Sequence, residues 1–133
     1  MATRDVVEHF FGMLGGGADP EDIAMLFADD IDWDVPGPPS IPWTGRRSKR
    51  ADVAEYMRTL AANIVPEENV DDVEAILYDG DHAVMLGRFG RVALNTGRRY
   101  EMAVAMHFQV SGDKVVKFRL YEDSFQVANP YAE

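Results

Sequence analysis

Cysteine is absent from all 133 residues. Its absence excludes disulfides and thiolate chemistry, and it suits a cytoplasmic protein. Basic residues are scarce: 13 Lys and Arg stand against 23 Asp and Glu, for a net charge of −10. Such a surface repels a phosphate backbone, so nucleic acid is not an expected partner. No apolar run approaches the ~20 residues that a membrane span needs, and the opening Met-Ala-Thr-Arg-Asp leads straight into a helical pattern with no secretory signal. There are only three histidines. His9 and His82 stand alone, and no spacing of His with acids resembles a metal site. Neither a metal nor a cofactor is expected. What remains is a chain that is 47% hydrophobic and 27% charged, sized for one globular domain over residues 1–133.

Hydrophobic periodicity divides the chain in order. A first helix is expected from about Arg4 to Leu14, with Val6, Val7, Phe10, Phe11, Met13 and Leu14 as its buried stripe. Gly15-Gly16-Gly17 ends it; a phosphate loop would instead follow a strand and open a helix. Asp19-Pro20-Glu21-Asp22 starts a second helix, with Asp19 as N-cap. Ile31-Asp32-Trp33-Asp34-Val35 alternates as a short strand that Pro36-Gly37-Pro38-Pro39 stops, followed by an extended loop to Gly45. Ser48 caps a third helix over 49–64 with Val53, Met57, Leu60 and Ile64 on its apolar side. A strand over 70–78 turns at Asp79-Gly80 into 82–94, and strands 100–110 and 114–123 follow through Asn95-Thr96-Gly97 and Ser111-Gly112-Asp113. The order α-α-β-α-β-β-β-β predicts an α+β domain, with helices against one face of an antiparallel sheet.

Alternation assigns the faces of the three long strands. The even positions, among them His82, Val84, Leu86, Arg88, Gly90, Tyr100, Met102, Val104, Met106, Phe108, Val116, Phe118, Leu120 and Glu122, are expected to look toward the helices. The odd positions, including Ala103, Ala105, His107, Arg119, Tyr121 and Asp123, are expected to look outward. The basic cluster Arg46, Arg47, Lys49 and Arg50 either offers an anion site or pairs with the chain's own acids. Asp29, Asp30, Asp32 and Asp34 fit solvated charge better than a calcium loop.

Phe27-Ala28-Asp29-Asp30 leads into Trp33-Asp34-Val35-Pro36-Gly37, and Pro42-Trp43-Thr44-Gly45 precedes the third helix. Thr96-Gly97-Arg98-Arg99-Tyr100 follows at a hairpin, and Phe118-Arg119-Leu120-Tyr121-Glu122-Asp123 lies on the last strand. In this order the motifs resemble the nuclear-transport-factor-two-like superfamily, in particular its SnoaL-like branch, over nearly the whole chain. The resemblance implies a cone-shaped curved sheet wrapped around helices, an apolar cavity inside the cone, and a homodimer through the outer sheet face. Relatives include ketosteroid isomerases, limonene-type epoxide hydrolases, polyketide cyclases and non-catalytic binding domains, so the fold leaves the function open.

Carried over by position, the proton-handling residues of the steroid isomerases become Phe10, Val35 and Val104. Of the epoxide hydrolases' aspartate–arginine–aspartate set, only the arginine is kept, as Arg88; the acids become Gly90 and Leu120. The tyrosine and asparagine that hold the water become Trp33 and Val35. Leu120 also stands at the acid position of the polyketide cyclases.

The expected catalytic residues are therefore Arg88, Glu122 and Trp33. Arg88 and Glu122 either meet across the cavity mouth, orienting a ligand oxygen and moving a proton, or form a structural salt bridge near the rim, or else Glu122 is simply solvated beyond the strand's end. The expected lining is Phe10, Leu14, Val35, Leu60, Ile64, Met102, Val104, Met106, Phe118 and Leu120, which serves a solid core equally well. The expected partner is a hydrophobic, oxygenated small molecule of polyketide, terpenoid or steroid type. Two functions follow: a cofactor-independent isomerase, cyclase or hydrolase, or a non-catalytic ligand-binding or dimerisation domain.

Overall fold

A computed structural model of the protein describes residues 2–132. Helix α1 (Ala2–Gly15) and the short α2 (Pro20–Ala24) come first, then strands β1 (Phe27–Val35) and β2 (Gly45–Lys49) and helix α3 (Arg50–Ala61). After a 3-10 turn at Pro66–Glu68 come β3 (Val70–Asp79), β4 (His82–Val92), β5 (Arg99–Ser111) and β6 (Lys114–Glu122). Helix α4 (Ser124–Ala128) and a 3-10 turn at Asn129–Tyr131 close the chain. The strands form one curved, unclosed sheet in the order β2-β1-β6-β5-β4-β3, and the helices fill its concave side. No helix among the described residues is long and apolar enough to cross a membrane.

The α+β cone agrees with the sequence reading, with local additions. Between the loop expected to Gly45 and the helix expected over 49–64, residues 45–49 form β2, antiparallel to the outer part of β1, and α3 runs only from Arg50 to Ala61. Ser48 therefore lies in a strand and does not cap α3. The Asp52 carboxylate instead accepts from the Ser48 and Lys49 backbone N–H groups, at 3.3 and 3.0 Å. The sheet is mixed, because β1 runs parallel to β6. A return through β2 and α3 separates these strands in sequence, which permits the parallel pairing that a tight turn forbids. The basic cluster is consumed internally: Lys49 pairs with Asp30, Arg50 with Asp29 at 3.0 Å, and Arg47 with Glu55 at 3.1 Å.

Curvature comes from bulges. In β3 the register slips between Val73 and Ala75 against an unbroken β4. At that point a side chain on Gly87 would place its first carbon 2.3 Å from the Asp72 carbonyl oxygen, so only glycine allows the approach. In β6 the slip near Val115 leaves Val115 buried in the core and Val116 only partly covered, reversing the facing expected for Val116.

The largest departure is on β4. A three-residue turn after residue 94 would keep even positions of β4 and β5 on one face. The connection instead spans residues 93–98, with Val92 opposite Arg99 and His82 opposite Gln109. Six residues put odd positions of β4 opposite even positions of β5. Ala83, Met85, Phe89 and Arg91 accordingly face the core, whereas Arg88 lies exposed on the outer face opposite Ala103. His82 also moves outward, where its Nδ1 lies 2.9 Å from His107 Nε2. Because Arg88 touches only the convex surface, Arg88→Ala is expected to change the unfolding free energy by no more than about 0.5 kcal/mol. Denaturant titration measures this, and ligand binding should be unaffected.

Candidate functional site

Between the helices and the concave sheet lies a cavity of about 560 Å³, within the ~300–1,000 Å³ range of small-molecule sites. One end is apolar. Phe10, Phe11 and Leu14 come from α1, Ile23 from α2, Met57 and Leu60 from α3, and Met106 and Phe118 from the sheet. Helical spacing presents the α1 and α3 residues on one side of each helix. The other end gathers polar groups from separate elements: Tyr56 of α3, Asp71 of β3, Arg91 of β4, Tyr100 of β5 and Glu122 of β6. The chain's end wraps the same region, with Val127 in the lining and Tyr131 Oη 2.7 Å from Tyr100 Oη. Tyr131 also packs edge-on against Trp43 at 5.2 Å.

Glu122 is one of the two carboxyl groups at this end. It has no hydrogen bond or ion pair to another described residue. Burial pushes its carboxyl from about 4.5 up to about 7, and the Arg91 charge only partly opposes that rise. Near neutral pH it is therefore divided between acid and base forms, the condition that favours proton transfer at that pH. The negative form raises the Tyr56 phenol, which burial already pushes up. Burial likewise raises Tyr100 and Tyr131. All three phenols stay protonated and available as hydrogen-bond donors.

Arg91 is the one buried charged residue among those described, at 8% exposure. Its Nη1 donates to Asp71 Oδ1 at 2.6 Å, to the Gly90 carbonyl at 2.9 Å and weakly to Val70 O at 3.4 Å. Its guanidinium lies 4.6 Å from the Phe89 ring centre.

The structure gathers at the cavity most of the lining named from sequence: Phe10, Leu14, Leu60, Ile64, Met102, Met106, Phe118 and Leu120, together with Glu122. Val35 and Val104 are buried but sit in packed core away from the lining. Trp33 is fully buried too, stacked on Phe118 at 4.3 Å and edge-on to Tyr56 at 4.9 Å. Its indole N–H finds no acceptor among the described residues and does not border the cavity. Arg88 is outside altogether, so no Arg88–Glu122 pair exists, and Arg91 is the arginine beside Glu122.

Some site residues went unnamed although signals for them were present. Tyr56 is three residues after Val53 and four before Leu60, on the stripe already drawn for α3. Tyr100 lies on the face correctly assigned to the core. Arg91 could be found only by counting the loop correctly, and no local signal marks Tyr131, which reaches Tyr100 from the chain's end. Among the described residues, no three His, Cys, Asp or Glu side chains converge to hold a metal ion.

Solved structures share this architecture. An NTF2-like protein from Burkholderia thailandensis superposes with a TM-score of 0.86 at 20% identity, covering 98% of each chain. A putative isomerase from Rhodopseudomonas palustris gives 0.70 at 26% identity, covering 83% of this chain and 81% of its own. TerC, co-crystallised with polyporic acid, gives 0.83 at 12% identity over 98% of both chains. No curated protein matches the sequence. The family model of the SnoaL-like domain matches residues 7–118, most of the cone and its helices, and the chain belongs to that family.

Proposed function

We propose that the protein takes a hydrophobic, oxygenated small molecule into the cone and moves a proton on it with Glu122, as a cofactor-independent isomerase, cyclase or hydrolase. The observation that carries this reading is a lone carboxyl, without an ion-pair partner among the described residues, at the polar end of an apolar cavity and poised near neutrality. Tyr56 and Tyr100 would donate to the oxygen on which charge develops. Glu122 sits two residues after Leu120, so the proton-handling group enters from a neighbouring position of the same strand and not from the family's usual acid position. TerC's polyporic acid and the putative isomerase of the same fold support a small-molecule role.

The rival function, binding without catalysis, draws its support from Phe10, Val35, Val104, Gly90 and Leu120 standing where the related enzymes keep proton-handling groups. A second copy of the chain would pack on the convex face, where Leu77, Leu86 and Tyr121 are exposed beside Ala103 and Ala105. A cysteine-free chain of this kind fits the reducing cytoplasm.

The test uses calorimetric binding of polyporic acid, terpenoid ketones and steroid ketones, with solvent-deuterium exchange at their enolisable positions followed by NMR. Glu122→Gln is expected to retain binding and to slow exchange by roughly 10²-fold or more. Binding with no exchange even in the unmodified protein would leave the rival standing. Exchange untouched by Glu122→Gln would remove Glu122 from the chemistry.

A further inference from the structure

Arg91 carries donors that the fold does not use. Aspartate and backbone acceptors all gather on Nη1. Nε and Nη2 form the side-on edge of a guanidinium, the edge that makes two parallel bonds to a carboxylate. Neither has an acceptor among the described residues, yet the residue is buried and borders the cavity. Neither atom is itself sealed off: the fully buried side-chain atoms without a partner among the described residues are Trp33 Nε1 and Tyr78 Oη, so the forked edge keeps open access. Asp71 and the Phe89 ring fix the plane of the guanidinium from one side and one face. The group is thus held rigid while its forked edge remains open.

We infer that the natural ligand is an apolar carboxylic acid whose carboxylate takes the Nε–Nη2 edge of Arg91, with its apolar body among Phe10, Phe11, Leu14 and Met106, and that its uptake carries a proton to Glu122. This rests on reading the cavity as a small-molecule site. The groups around Glu122 are Arg91 of β4, Asp71 of β3, Tyr100 of β5, Tyr56 of α3 and Tyr131 of the chain's end, with Arg47 acting on Tyr56 from β2. Among the described residues Arg91 is the only cation bordering the cavity, and Asp71 already shares it. A second anion beside Glu122 leaves two carboxylates to one half-neutralised guanidinium, so one of them binds a proton. Glu122, lacking any hydrogen bond to another described residue, is the one that does. With the ligand seated it carries the proton and enters any reaction as an acid.

The probes are 4-phenylbenzoate and its neutral carboxamide, titrated calorimetrically from pH 6 to 8.5. The carboxylate is expected to bind at least about tenfold more tightly than the carboxamide at pH 6, and its affinity to fall about tenfold per pH unit above 7 as one proton is taken up per ligand. The carboxamide should show no such slope. Arg91→Gln should erase the carboxylate's advantage and keep carboxamide binding. Should Arg91→Gln fail to fold, Glu122→Gln decides: it should keep the preference for carboxylate and flatten the pH dependence. The inference is overturned if the carboxamide binds as well as the carboxylate, or if the slope survives in Glu122→Gln. Binding of the carboxamide alone would reject the acid ligand and leave the cavity reading intact. Binding of neither probe would reject both.

Discussion

Replacing Trp33 with alanine is expected to lower the unfolding free energy by about 3–5 kcal/mol. The indole is fully buried where three other aromatic rings converge on it: Phe118 stacks on it at 4.3 Å, Tyr56 meets its edge at 4.9 Å, and Phe27 lies at 5.7 Å. Phe27 and Phe118 in turn contact Phe10. Removing the ring opens a void that strands and α3 cannot close without breaking register. Against a total stability of roughly 5–15 kcal/mol for a domain of this size, that loss is severe. Trp33→Phe separates packing from polarity. It keeps a ring and removes an indole N–H that has no partner among the described residues, so it should cost much less than alanine. Denaturant melts of both variants check the order. A ligand affinity unchanged in Trp33→Phe would fit a residue that supports the cavity wall from behind.

The second expectation concerns stability against pH. Folding raises the Glu122 carboxyl from about 4.5 to about 7 because it is buried. For an acid whose folded value is raised, the folded state binds more protons than the unfolded state between those two values. Stability is therefore intact below about pH 4.5, declines through the interval, and is fully lowered above pH 7. Each unit is worth about 1.4 kcal/mol, and allowing for the partial exposure of the side chain the total is about 2–3 kcal/mol. Glu122→Gln never ionises and should be more stable than the unmodified protein by that amount at pH 8, with the gap closing at pH 4. Parallel melts at the two pH values measure it. Equal stability at both would mean that the carboxyl is solvated. A variant that gains stability and loses proton transfer would mark Glu122 as a group kept for function.

Much of this molecule could be read from its letters, for reasons that differ by region. Long amphipathic segments carry their own period, so α1, α3 and the strands of the second half are plain in Val6-Val7-Phe10, Val53-Leu60 and Met102-Met106. Strand β2 was not, because Arg46, Arg47 and Lys49 have no apolar alternation. It exists because its cations meet Asp30, Asp32 and Glu55 on neighbouring structure. The cavity's apolar end followed from the same periodicities. Its polar end depended on how many residues the 93–98 connection spends outside the ladder, a quantity that Asn95-Thr96-Gly97 alone does not reveal. One residue of difference exchanged Arg88 for Arg91. Glu122 was placed correctly because the β5–β6 slip lies below Lys117 and leaves the upper ladder, Val104 opposite Glu122, in its expected phase.

The 93–98 connection has a second employment. Thr96 holds the Pro130 carbonyl, Asn95 the Tyr131 carbonyl at 3.0 Å, and Arg98 the Ala132 carbonyl at 2.9 Å. One short hinge thus decides which arginine looks inward and also moors the tail whose phenol meets Tyr100. For relatives built on this scaffold, changing the length of a single surface bend would exchange the β4 side chains that face the cavity and unfasten the tail in the same stroke. A segment outside the chamber thereby governs what the chamber accepts.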